Sequence, residues 1–114
     1  MIPAPFEYEA ARSVAEAIEL LGSKPEAKVL AGGHSLVPAM KLRLARPETL
    51  VDIGRIEGLR YVKDAGDHIA IGALTRHHDV ANDAAVARDC AILSTAAGQV
   101  GDPQVRHRGT IGGS

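Results

Sequence analysis

Two glycine-rich turns hold most of the residues in this chain whose types and spacing suit chemistry on a ligand. The first, Ala31-Gly32-Gly33-His34-Ser35-Leu36, follows the apolar run Lys28-Val29-Leu30; the second is Gly109-Thr110-Ile111-Gly112-Gly113-Ser114. Lacking a Cβ, adjacent glycines let the backbone take positive φ and come close to a ligand, while successive N–H groups converge on one anion. Two such turns, each carrying hydroxyl side chains and closing from both sides, suit a pyrophosphate. The glycines lack the spacing of the dinucleotide Rossmann turn, and no Gly-Lys-Ser/Thr follows, so the nucleoside-triphosphate loop is excluded. Lys41 and Arg43, or Arg106 and Arg108, are the cations available to neutralise a diphosphate; equally, they fit solvent-facing positions on amphipathic segments.

Other chemistries have less to stand on. The five histidines are His34, His68, His77, His78 and His107, and the densest group is His77-His78-Asp79. Neighbours on a helix point about 100° apart and do not easily chelate one ion. With no His-Glu-x-x-His pattern and no cysteine pair, these read as solvated helix-surface histidines, and no metal ligands are expected. Ser35 beside His34 lacks the Gly-x-Ser-x-Gly elbow of a nucleophilic serine, so no catalytic residue is expected; its place in the turn suits a hydrogen bond to phosphate. Cys90 is the single cysteine, which rules out an internal disulfide and fits a reducing compartment and a core position.

The composition, 46% hydrophobic, 24% charged and net charge -1, is that of a globular domain rather than a nucleic-acid or membrane binder. Met1 to Pro5 lacks the basic start and apolar core of a signal peptide, and no run reaches the roughly 18 apolar residues of a membrane span. The expected location is the cytoplasm. A chain that stops at Ser114 inside a glycine-rich turn reads as truncated.

The elements that must position the turns follow from local pattern. Met1 to Tyr8 is extended, because Pro3 and Pro5 fix φ. Ser13-Val14-Ala15-Glu16 is a capping box opening a helix over 14–21, with Gly22 as its stop. Val29 to Ala31 reads as a buried parallel strand, 36–44 as one or two helical turns aimed back at the first glycine turn, and Leu50 to Ile53 as a second strand. Strand, helical crossover and strand make a small parallel α/β unit. Beyond Gly58, Leu59 to Val62 and His68 to Gly72 flank Asp64-Ala65-Gly66-Asp67 as a hairpin. Thr75 caps a short helix through about Ala81, and Ala84 to Ala97 reads as one helix with Val86, Cys90, Leu93 and Ala97 on a single face. Two subdomains are expected, 1–56 and 57–114.

Ala31 to Arg43, Ile71-Gly72-Ala73-Leu74-Thr75 and Gly109 to Ser114 together resemble the FAD-binding medium subunit of molybdenum hydroxylases, the family of carbon monoxide dehydrogenase medium subunits and xanthine dehydrogenase flavin domains. The resemblance covers nearly the whole chain, with three motifs in the right order. It implies an α+β fold: the N-terminal part of a vanillyl-alcohol-oxidase/PCMH-type FAD-binding domain, a small parallel α/β subdomain followed by an incomplete second one. By residue, it places Ala31, Gly32, Gly33, His34, Ser35 and Leu36 on one side of the FAD pyrophosphate. Thr110, Ile111, Gly112, Gly113 and Ser114 fall on the other, with Ala73 and Thr75 lining the same cleft.

The family also implies partners: a large subunit holding a molybdenum cofactor and a small subunit holding 2Fe–2S clusters, from which electrons reach the flavin and then an external acceptor. Family members are more than twice this length, so residues around the flavin ring are expected to be missing here. Ala31 before the glycines and Lys41-Leu42-Arg43 after them favour the subfamily that holds FAD non-covalently. A competing reading, from another class, is a non-catalytic scaffold or assembly module that has lost the flavin and associates with itself through open sheet edges.

Overall fold

Ser13 caps the first helix as expected, while Glu16 reaches past the cap to the residue before it. The Ser13 hydroxyl accepts from the Glu16 N–H at 3.1 Å, and the Glu16 carboxylate accepts from the Arg12 N–H at 3.1 Å. The computed structural model describes all of residues 1–114 and divides them into two compact units, Met1–Glu57 and Gly58–Ser114.

The first unit runs β1 (Glu7–Ala10), α1 (Val14–Ser23), β2 (Ala27–Leu30), α2 (Leu36–Lys41) and β3 (Thr49–Asp52). Its sheet has the order β1-β3-β2 and is parallel throughout, with Tyr8 and Lys28 both level with Leu50, and Ala10 and Leu30 both level with Asp52. The extended N-terminal segment is thus a paired strand, which the exposed, charged sequence Glu7-Tyr8-Glu9 did not signal. Being central, β3 is the buried strand, with Thr49, Leu50 and Val51 almost free of solvent. The strand expected to be buried, 29–31, is an edge strand shifted to 27–30, and Val29 is 41% exposed.

Two helix ends differ from expectation for local reasons. α1 passes through Gly22, whose absent side chain meets nothing, and stops where Pro25 drives Lys24 into an extended conformation. α2 ends at Lys41 rather than continuing to Leu44, because Arg43 takes φ +58 and the Leu44 N–H bonds back to the Ala39 carbonyl at 2.8 Å, a Schellman closure built without glycine. Ala11, Ala17, Met40, Leu50, Val51 and Ile56 form the buried apolar set of this unit.

The second unit opens with the hairpin β4 (Val62–Asp64) and β5 (Ile69–Ile71), antiparallel with Val62 opposite Ile71. Its turn is Ala65–His68, where Gly66 takes φ +91 and donates to the Asp64 carboxylate at 3.1 Å. Four helices follow: α3 (His77–Asn82), α4 (Ala84–Asp89), α5 (Ala91–Gly98) and α6 (Pro103–Arg106).

The single helix expected over 84–97 is broken at Cys90, whose φ of -145 and ψ of 65 are not helical. In a straight helix, residues 86 and 97 would stand about 16 Å apart at 1.5 Å per residue. The break brings both Val86 and Ala97 into one buried cluster with Val80, against Val62, Ile69 and Ile71 of the hairpin and Leu93 of α5. Cys90 therefore sits half-buried at a helix junction, not on an apolar helical face. Nor does Thr75 cap α3. Arg76 occupies the cap position without a side-chain bond, while the Thr75 hydroxyl donates to the Tyr61 carbonyl at 2.9 Å and accepts from the Tyr61 N–H at 3.1 Å. No helix is long and apolar enough to cross a membrane.

Candidate functional site

The first glycine turn leaves β2 at the carboxyl end of the parallel sheet, the end at which open α/β sheets bind their ligands. Gly33 takes φ +81, and a Cβ there would press on Val37 at 3.2 Å and Leu30 at 3.4 Å. This twist separates the two kinds of backbone group. The carbonyls of Gly33 and Ser35 turn inward to accept from Val37 and Ala39, at 3.0 and 3.2 Å. The N–H groups of Gly32, Gly33, His34, Ser35 and Leu36 find no acceptor in the chain. Five consecutive free donors around a positive-φ glycine, the last of them at the start of α2, are the kind of backbone that can hold the oxygens of a phosphate. Ser35 begins α2 without spending its hydroxyl on a cap, and His34 is exposed beside it. Ala31 presents only a methyl group at the entrance.

Beside this strand end, on the neighbouring β3, Asp52 fastens the turn's surroundings. Its carboxylate accepts from the Gly54 N–H at 2.8 Å and, on its other oxygen, from the Tyr8 phenol. That hydrogen bond holds the Tyr8 phenol above its ordinary value, since ionisation would set two anions together. Nothing in the sequence spacing marked this pair, because the partners are brought together only by the β1–β3 register. Of the cations considered for a diphosphate, Arg43 donates to the Ile2 carbonyl at 3.2 Å and Lys41 is exposed.

The second unit brings its two motifs together. Residues 109–112 lie along 73–77 as an antiparallel bridge, with Arg76 opposite Thr110. The Gly112 N–H donates to the Ala73 carbonyl at 2.8 Å, the Ile111 N–H to Thr75 at 2.9 Å, and the His77 N–H to Gly109 at 3.1 Å. The Gly113 N–H turns inward to the Thr110 carbonyl and hydroxyl at 3.2 and 3.1 Å. This turn therefore spends the N–H groups of Ile111, Gly112 and Gly113 on itself and leaves those of Thr110 and Ser114 without an acceptor. Thr75 is only 1% exposed and its hydroxyl is committed to Tyr61, so its part is to hold the turn; Ala73 stays exposed at the rim. Arg106 donates to the Val100 and Gly101 carbonyls at 3.4 and 3.3 Å, while Arg108 is exposed.

Of the four histidines of this unit, His68 and His107 are exposed, as their spacing suggested, and His78 is half-buried, but His77 is not a surface group. His77 is buried, with Nε2 3.0 Å from the Ser114 hydroxyl. His78 stacks on His107 with ring centroids 4.0 Å apart. The His77-His78-Asp79 run was visible in the sequence, but the inward turn of its first member depends on where residues 109–114 pack.

Residues 4–114 match the family model described as the FAD binding domain in molybdopterin dehydrogenase. The chain is 52% identical over 114 residues to the carbon monoxide dehydrogenase medium chain of Hydrogenophaga pseudoflava, covering 99% of this chain and 40% of that one. It is 46% identical over 115 residues to the 6-hydroxypseudooxynicotine dehydrogenase complex subunit alpha of Paenarthrobacter nicotinovorans, covering 100% and 39%. Among solved structures, carbon monoxide dehydrogenase from Hydrogenophaga pseudoflava superposes with a TM-score of 0.94 at 52% identity over 99% of this chain and 40% of that one. Quinoline 2-oxidoreductase from Pseudomonas putida 86 gives 0.93 at 35% identity, over 100% and 40%. The chain thus spans about 40% of the length of the relatives it matches. The α+β architecture with its small parallel sheet is the one the resemblance implied. On family match, identity and fold alike, the chain belongs to the FAD-binding domains of molybdopterin dehydrogenases, the medium-subunit family of the molybdenum hydroxylases.

Proposed function

We propose that the glycine turns of this chain hold the diphosphate of a non-covalently bound FAD, within the electron-transfer subunit of a molybdenum hydroxylase. The observation that carries the reading is the run of five N–H groups, Gly32 to Leu36, that the fold leaves unpaired around a left-handed glycine. An unpaired N–H is costly unless water or a ligand accepts from it, and an anion satisfies several at once. Ser35 adds a free hydroxyl, and His34 an exposed imidazole, at the same turn. In the second unit, Thr110 and Ser114 supply the open N–H groups, while Ile111, Gly112 and Gly113 hold the loop in shape against Ala73, Thr75 and the Thr110 carbonyl.

FAD held by Gly32 to Leu36 and by Thr110 and Ser114 would supply the redox chemistry, as the link between the iron–sulfur small subunit and molybdenum-cofactor large subunit of such an enzyme and an external acceptor. The chain's own contribution is to bind and orient; none of its residues touches a substrate bond in this reading. A cytoplasmic location belongs to the same proposal, in keeping with a lone cysteine that remains a free thiol. Retention of added FAD by the purified chain through gel filtration, read as visible absorbance in the protein peak, tests the proposal. A colourless protein peak that runs as an oligomer would favour the scaffold reading instead.

A further inference from the structure

We infer that His77 is the positioning residue of the 109–114 turn, setting where Ser114 presents its N–H and hydroxyl. The inference rests on the flavin-binding reading for its consequence, but not for its geometry. His77 is 7% exposed and touches the turn at both ends. Its own N–H donates to the Gly109 carbonyl at 3.1 Å where the turn begins, and Nε2 meets the Ser114 hydroxyl at 3.0 Å where it finishes. Its ring also packs against the first residue of the turn, since a Cβ on Gly109 would stand 3.0 Å from Cδ2 and 3.4 Å from Nε2. The imidazole therefore acts as a spacer of fixed length: apolar body against Gly109, polar tip on Ser114. A leucine would fill much of the same volume and leave Ser114 unheld. A glutamine places its own Nε2 at a similar reach and can hold it.

The test uses the purified 114-residue chain with His77→Leu, His77→Gln, Ser114→Ala and the His77→Leu/Ser114→Ala double variant, each read in two ways. FAD affinity is measured by quenching of flavin fluorescence. The expected result is a loss of about tenfold for His77→Leu, the size of one net hydrogen bond at about 1.4 kcal/mol. Ser114→Ala should lose a similar amount, the double variant no more than either, and His77→Gln should recover most of the affinity. Additive losses, or a His77→Gln variant as weak as His77→Leu, would overturn the inference.

The second readout needs no flavin. The Ser114 and Gly113 amide resonances are followed by NMR in wild type and in each variant; both should shift in His77→Leu and return toward their wild-type positions in His77→Gln. That shift and its restoration report the coupling of His77 to Ser114, and resonances that stay in place in His77→Leu would overturn it. A wild-type chain that shows this coupling but takes up no FAD would overturn the flavin reading and leave the positioning role standing. Flavin uptake with no coupling would overturn the positioning role alone.

Discussion

Gly112 lies directly against Ala73: its N–H donates to the Ala73 carbonyl oxygen at 2.8 Å, and a Cβ on Gly112 would stand 2.7 Å from that same oxygen. The two relations are one constraint, because the hydrogen bond exists only while there is no side chain in the way. Gly112→Ala should push residues 110–114 off the 73–77 segment, costing about 1–3 kcal/mol as an overpacked contact does. Flavin content should fall with it. Thermal unfolding and flavin absorbance of the purified variant check both halves.

Gly33 is constrained through its backbone instead. At φ +81 a β-branched residue is strained, and its side chain would also press on Val37 and Leu30. Gly33→Val should abolish FAD binding by turning the unpaired N–H groups away from one another; unchanged flavin content would contradict the role given to this turn. Gly22→Ala is the matched control, since a Cβ there meets nothing and the residue lies inside α1. It should stabilise the chain by about 0.5–1 kcal/mol and leave flavin binding as it was.

The sheet that carries the first turn depends on its central strand. Leu50 of β3 is 3% exposed, so Leu50→Ala should cost about 2–5 kcal/mol. Urea unfolding gives the number, and an exposed-position substitution such as Ile92→Ala on α5 should stay near zero.

Arg88 donates to both carboxylate oxygens of Asp89, at 3.0 and 2.7 Å, and to Asp64 of β4 at 2.7 Å. Those hydrogen bonds hold the Asp89 carboxyl below its ordinary value and raise the Arg88 guanidinium above its own. A carboxyl lowered in the folded state contributes stability above its unfolded pKa and loses it as pH falls through the folded one. In Arg88→Met, NMR titration should show Asp89 returning upward toward the ordinary carboxylate value, and the acid limb of the stability profile below about pH 4 should flatten slightly. Both groups are exposed, so the effect on stability at neutral pH should be small.

Much of this fold is legible from local chemistry. The Ser13 cap and the glycine turn after β2 stand where residue type puts them, and the hairpin around Gly66 forms as expected but with its turn at 65–68 and its first strand at 62–64 rather than 59–62. Each is set by groups within a few positions of one another. What the sequence did not show is set by long-range packing. β1 is a strand because β3 offers it an edge, not because Glu7-Tyr8-Glu9 is strand-like. The helix over 84–97 breaks at Cys90 so that Val86 and Ala97 can share one cluster. Thr75 abandons the cap for Tyr61, and His77 turns inward to Ser114, because segments distant in sequence arrive beside them. The site is divided in the same way: the free donors of Gly32 to Leu36 follow from the glycine pair, whereas the internal bonding of the 110–113 turn follows only from its docking on 73–77.

The central claim is that these turns bind FAD, and the most direct test is the flavin stoichiometry of the purified chain after added FAD and gel filtration, alongside Gly33→Val and Gly112→Ala. The account predicts flavin absorbance travelling with the wild-type chain at about one FAD per chain, as expected of a single cofactor site, and lost from both variants. Flavin that elutes wholly free from wild type, or that stays bound equally in all three, would contradict it.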